Sequence, residues 1–276
     1  MTIYVFTGPT LSAEEGRAEL DAVYLPPVSQ GDLYRVALRS PQAIGIVDGY
    51  FERVPAVWHK EILWALTRGI HVYGSASMGA LRAAELAAFG MEGVGEIFAL
   101  YRDGTLEDDD EVAVVHGPAE DGYRVQSEAM VNIRRTLAAA EAGNVISPGV
   151  RTALEGIAKE LFYPDRFYPL VLRRGAEQEL PAAELDALRA WLPRGRVDQK
   201  RQDALTMLRT MRERLAANPG RKQVGFTLEH TVYWATAMRS AGEADPDIEL
   251  PDESSLSSAA SCGRGQATTS PAWAAA

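Results

Sequence analysis

Cysteine is nearly absent: the 276-residue chain has one, Cys262, close to the C-terminus. A single thiol excludes an intramolecular disulfide framework and a cysteine-built zinc site, and it fits a reducing compartment. No run approaches the roughly 18 apolar residues that cross a bilayer. The first residues enter the strand-like Thr2-Ile3-Tyr4-Val5-Phe6 without the basic and apolar regions of a secretory signal. The expectation is a cytoplasmic protein, neither secreted nor membrane-spanning. Positive charge is also short, 28 Lys and Arg against 38 Asp and Glu, for a net charge of −10. That argues against nucleic acid as a general partner, because a phosphate backbone rewards clustered positive charge, and a basic partner fits better. The phosphate-cradling patterns GxxxxGK[ST] and GxGxxG are missing, so a nucleotide site ranks low.

What is present reads as a globular chain, 46% hydrophobic and 24% charged. Strand-like runs at 3–6, 22–25, 43–47 and 70–73 alternate with helical composition from Ser12 onward and at 32–39, 56–67 and 78–88. Ser12 with Glu15 three positions later is a capping-box signature. Such alternation predicts an α/β fold, a mostly parallel Rossmann-like sheet flanked by helices and followed by a helical second half. Residues 112–115 are read as a further strand, and 128–142, 148–161, 182–191, 198–216 and 228–238 as helices. The organisation expected is an α/β core at 1–125, a helical subdomain at 126–240 and a disordered tail at 241–276, poor in large apolar residues and holding Cys262 as an incidental thiol.

The stretch from His59 to Arg82, HKEILWALTRGIHVYGSASMGALR, carries the chemistry. Its strand ends at Gly74 and its next helix begins near Met78, so Ser77 falls at a strand-to-helix turn where unpaired backbone N–H groups accompany a hydroxyl. Ser75-x-Ser77-x-Gly79 approximates the nucleophile elbow G-x-S-x-G, with Ser in place of the first Gly. Ser75 is the rival nucleophile. Lys60 or its neighbour His59 is the candidate base, since a buried neutral amine can accept a serine proton. The plainer reading is a serine N-cap beside a solvated lysine. In parallel sheets ligands collect beyond the carboxyl ends of strands, and Gly8, Asp48 and Ser77 all fall there.

The acidic run Glu107-Asp108-Asp109-Asp110-Glu111 suits water or a basic partner better than a metal, because adjacent carboxylates cannot all turn toward one ion. Pro164-Asp165-Arg166-Phe167-Tyr168 and Asp198-Gln199-Lys200-Arg201-Gln202-Asp203 read as capped helix starts with solvated charges, or else as docking patches.

The runs IVDGYF, HKEIL, YGSASMGALRAAEL, GMEGVGEIF and DDDEVAVVH, between Ile46 and His116, together with the N-terminal FTGPTL, resemble the TfuA family over residues 1–135. The resemblance implies partnership with a YcaO enzyme that replaces a peptide-backbone amide oxygen by sulfur, in natural-product peptides or in methyl-coenzyme M reductase. It implies a hydrolase with a Ser–Lys pair acting on the thiocarboxylated C-terminus of a ThiS-like sulfur carrier. By position that pair is Ser77 and Lys60. The N–H groups of Met78 and Gly79 then hold the oxyanion, Gly8 adds an N–H or lets the carrier tail approach, and Asp48 and His59 orient the pair. No cofactor is expected in this chain, ATP being used by the YcaO partner, which also brings the precursor peptide or protein substrate. The alternative is a non-catalytic adaptor that recruits or activates the YcaO enzyme.

Overall fold

The alternating runs fold as five parallel strands with helical crossovers, in a computed structural model that describes residues 2–51 and 54–242. In chain order these are β1 (Ile3–Phe6), α1 (Ala13–Glu19), β2 (Val23–Leu25), α2 (Asp32–Leu38), β3 (Ala43–Ile46), α3 (His59–Thr67), β4 (His71–Gly74), α4 (Met78–Leu86), β5 (Glu92–Gly93) and α5 (Glu96–Arg102). The sheet order is β2-β1-β3-β4-β5. In this doubly wound order the chain reverses direction across the sheet between β1 and β3, which opens a crevice beyond their carboxyl ends. The α/β class and parallel sheet expected from the alternation are what is found.

Local chemistry fixes the boundaries. Ser12 and Glu15 form the capping box that starts α1. Helix α3 starts at His59, later than composition suggests, because Glu61 turns back to accept the Trp58 N–H at 3.1 Å. The same buried carboxylate accepts the N–H groups of Gly31 and Tyr34, tying α3 to α2, and burial pushes its pKa up against those hydrogen bonds. The fifth strand is Glu92–Gly93, beside Tyr73 and Gly74, and residues 112–115 are not a strand. Upstream of them Asp109–Glu111 forms a 3-10 turn whose flanking carboxylates are drawn to Lys159, Arg134 and Arg166.

The second half supplies α6 (Met130–Ala142), α7 (Pro148–Glu160), α8 (Tyr168–Glu177), α9 (Ala182–Gly195), α10 (Gln199–Ala216) and α11 (Val232–Gly242). Helices α6 to α9 share an apolar core that includes Ile133, Leu137, Leu154, Val171 and Leu188. Helix α10 does something else. One face of the sheet packs on α2, α3 and α4, whereas the other holds Val5, Val47 and Tyr73, with α1 covering it only in part. Ala204, Met207, Leu208 and Met211 of α10 complete that layer. Gly45 admits the helix, since a Cβ there would stand 3.1 Å from Met211 Sδ and 3.2 Å from Met207 Cε. Among the described residues no helix is long and apolar enough to cross a membrane. Beyond Gly242, the tail expected at 241–276 and its Cys262 lie outside the described residues.

Candidate active site

Beyond the carboxyl ends of β1, β3 and β4 lies a cavity of about 600 Å³ lined by Pro9, Asp48, Tyr50, Ser77, His116 and Tyr123, among others. Ser77 enters it from a constrained turn. Its N–H donates to the Ser75 carbonyl at 2.8 Å across Ala76, which is held at φ +65°. A hydrogen bond spanning one residue at positive φ is the rare, strained γ-turn, of a kind that accumulates at functional sites. Two glycines make room for it: a Cβ on Gly79 would lie 1.8 Å from the Ile46 carbonyl oxygen, and one on Gly74 would lie 2.1 Å from the Gly79 oxygen. Gly74 thus meets the need for close approach, one residue before the position that the elbow pattern reserves for glycine.

Ser77 occupies the N-cap position of α4, is 2% exposed and makes no side-chain capping bond. The donors it would cap are already used, the Gly79 N–H by the Val47 carbonyl and the Ala80 N–H by Ser77's own carbonyl. The Met78 N–H, first in the helix, has no intrahelical acceptor. Ser75 is fully buried, and its hydroxyl has no hydrogen-bond partner among the described residues.

Asp48, 1% exposed, organises the crevice between β1 and β3. One carboxylate oxygen accepts the N–H groups of Gly8 at 2.9 Å and Thr10 at 3.0 Å, and the other accepts the Thr10 hydroxyl at 2.6 Å. The Gly8 N–H is therefore held by Asp48, and the Gly79 N–H by Val47. Lys60 is not in the lining of the Ser77 cavity; its Nζ donates to the Thr231 hydroxyl at 3.1 Å on an exposed surface. His59 pairs with Glu85 at 2.7 Å, half-exposed, and Arg82 grips the same carboxylate. The structure therefore brings together Ser77, Met78, Asp48 and Gly8, and holds Lys60 and His59 on partners of their own.

Residues 48–167 match the sequence profile of TfuA-like proteins. Over that stretch the chain is similar to TfuA-like proteins. No curated protein matches it. That similarity suggests involvement in peptide-backbone thioamidation with a YcaO enzyme. The matched segment takes in Asp48, both serines and the acidic run.

Two features of the site escape sequence reasoning. The first is an aromatic wall. His116 pairs with Val125 in an isolated antiparallel bridge, and its ring lies 6.1 Å from that of Tyr50 and 5.6 Å from that of Tyr123. The second is Lys200, 4% exposed, whose Nζ donates to the Val112 carbonyl at 2.8 Å. Burial lowers its pKa, against the opposing pull of Asp48, Asp198 and Glu128. It lines a second cavity of about 350 Å³ that shares Pro9, Val114 and Gln126 with the Ser77 cavity. The signal was available: Lys200 precedes Ala204, Met207, Leu208 and Met211 at helical spacing, on the stripe that α10 buries.

The acidic run has no metal cluster among the described residues. Three of its carboxylates, Asp108, Asp110 and Glu111, meet cations of the chain itself. Lys159 contacts Asp108, Asp110 and Glu111, Arg134 contacts Glu111, and the fully buried Arg166 reaches the carboxylate and carbonyl of Asp110. Arg166 is thus an internal tie rather than part of a docking patch.

Proposed function

We propose that this TfuA-like protein hydrolyses the thiocarboxylated C-terminus of a ThiS-like sulfur carrier at Ser77, releasing bisulfide for a YcaO enzyme that thioamidates a peptide or protein, and that it aids binding of that substrate. The observation that carries the reading is the Ser77 hydroxyl. It sits at a strained turn and opens to a cavity, and the helix it heads does not need it as a cap. About 600 Å³ suits a few residues of an extended tail rather than a folded body.

The steps balance without a cofactor. A lysine amine takes the Ser77 proton, Oγ bonds to the thiocarboxylate carbon, and the carbon–sulfur bond breaks with the proton passing to sulfur, giving bisulfide. Water then cleaves the acyl ester, returning the hydroxyl and a carrier ending in an ordinary carboxylate, with a proton released. The Met78 N–H faces the negative charge that develops on the carbonyl oxygen. Asp48 keeps the Gly8–Thr10 loop at the cavity edge. ATP chemistry stays with the YcaO partner.

Sulfide release from a thiocarboxylated ThiS-like carrier, compared between wild type and Ser77→Ala at matched folding, tests this. Loss of release in the variant supports the hydrolase. Equal release from both, or none from the wild type, favours the adaptor.

A further inference from the structure

The lysine named by the sequence and the lysine placed by the fold are different residues. Lys60 stands on the first turn of α3 with its ammonium on an exposed hydroxyl. Lys200 is in the opposite situation, and the course of α10 explains how it arrives there. Arg201 binds Glu15 near the start of α1, Asp203 accepts the Ile97 N–H beyond β5, and Arg209 binds Glu19 at the end of α1. Further along, Arg214 binds Glu92 at the start of β5, and the Gly220 carbonyl meets His71 at the start of β4. The helix therefore begins at the carboxyl ends of the strands and runs back along them. Lys200, in its first turn, lies at the level of Ser77 and Asp48.

We propose that Lys200, rather than Lys60, is the amine that accepts the Ser77 proton. The inference rests on the reading of Ser77 as a nucleophile. Lys200 and Ser77 line adjoining cavities whose common wall is Pro9, Val114 and Gln126, so a bridging water or a swing of the four-carbon stem joins them. The charged groups around the amine are Asp48 at the end of β3, Asp198 at the cap of α10, Glu128 ahead of α6, and Arg196, which lines the same cavity. Desolvation outweighs the carboxylates in its balance, which favours the neutral, proton-accepting form. The proton that Lys200 takes from Ser77 Oγ is handed to the departing sulfur, so the amine is neutral again when water attacks the ester.

A serine-directed fluorophosphonate tests the pair without any carrier. It forms a phosphorus–oxygen bond to an activated serine and expels fluoride, and intact-mass and peptide mapping locate the adduct. Labelling at Ser77 is expected in the wild type, with a rate that rises through a pH limb below the ordinary lysine range. Lys200→Ala and Lys200→Arg are each expected to lose about 100-fold or more, the arginine variant because it keeps the charge but cannot accept a proton. Adding methylamine to Lys200→Ala is expected to restore part of the rate. Lys60→Ala is the competing arm. Full labelling in both Lys200 variants, loss confined to Lys60→Ala, no labelling of the wild type, or a wild-type limb at the ordinary lysine value would each overturn the proposal. The wild-type limb stands as a test even where a variant does not fold. A wild type that labels through Lys200 but releases no sulfide from a carrier would retain the pair and reject the thiocarboxylate as its substrate.

Discussion

The N–H of Gly79 donates to the carbonyl of Val47 at 3.2 Å, fastening the first turn of α4 to the end of β3. The approach is so close that a Cβ on Gly79 would sit 1.8 Å from the Ile46 oxygen, which is backbone and cannot step aside. Gly79→Ala is expected to cost about 3 kcal/mol or to abolish folding. Gly45→Ala, facing only flexible methionine side chains, is expected to cost about 1 kcal/mol or less. Denaturant midpoints of the two variants check the contrast.

Because that fastening satisfies the helix start, Ser77→Ala is expected to change stability by less than about 0.5 kcal/mol. Its sulfide release should nonetheless fall by about a thousandfold or more. Ser75→Ala removes a buried hydroxyl that has no partner among the described residues, so stability should hold or rise slightly and release should persist. Paired melting curves and release assays decide. Release lost in Ser75→Ala and kept in Ser77→Ala would move the nucleophile two residues upstream.

Asp48→Ala leaves the amides of Gly8 and Thr10 and the Thr10 hydroxyl without their acceptor inside the fold. A loss of about 2–3 kcal/mol is expected, with hydrogen-exchange protection of those two amides falling before that of β1. Unchanged protection would mean that the loop is held by something other than this carboxylate.

Acid should loosen the junction between the acidic run and α7. Burial raises the Asp110 carboxyl, but Lys159 and Arg166 outweigh burial and hold its pKa below the usual 3.8. A carboxyl lowered by folding stabilises the protein above its unfolded value, and that contribution is lost as pH falls from there through the folded-state value. Stability measured across this window should drop more steeply in the wild type than in Asp110→Asn. Arg166→Met, which strands a carboxylate and several carbonyls, is expected to cost about 3–5 kcal/mol, and Arg166→Lys should not recover it, for want of the planar fork.

Much of the fold was legible because its determinants are local. Ser12 and Glu15 announce α1, and the β-branched runs flanked by glycine or proline announce β1 to β4. The two-residue β5 carries no period of its own and exists only because Tyr73 and Gly74 offer it an edge. Residues 112–115 look like a strand but lie where the acidic run has been pulled toward α7. In the site, Ser77, Asp48 and Gly8 were legible as strand-end residues of a parallel sheet. The buried Lys200 was not, since it comes 123 positions after Ser77 and reaches the strand ends only through the long return of α10.

That return also sets the order in which the protein can be made. Residues 3–93 contain every strand of the described residues, yet on the ribosome they emerge with Val5, Val47 and Tyr73 uncovered, because the helix that seals that side ends at Ala216. A nascent chain halted near residue 125 would carry an apolar sheet surface open to chaperones or to other nascent chains. The same helix covers the sheet and carries the buried amine, so a copy of this protein that stopped short of it would hold the serine without the lysine.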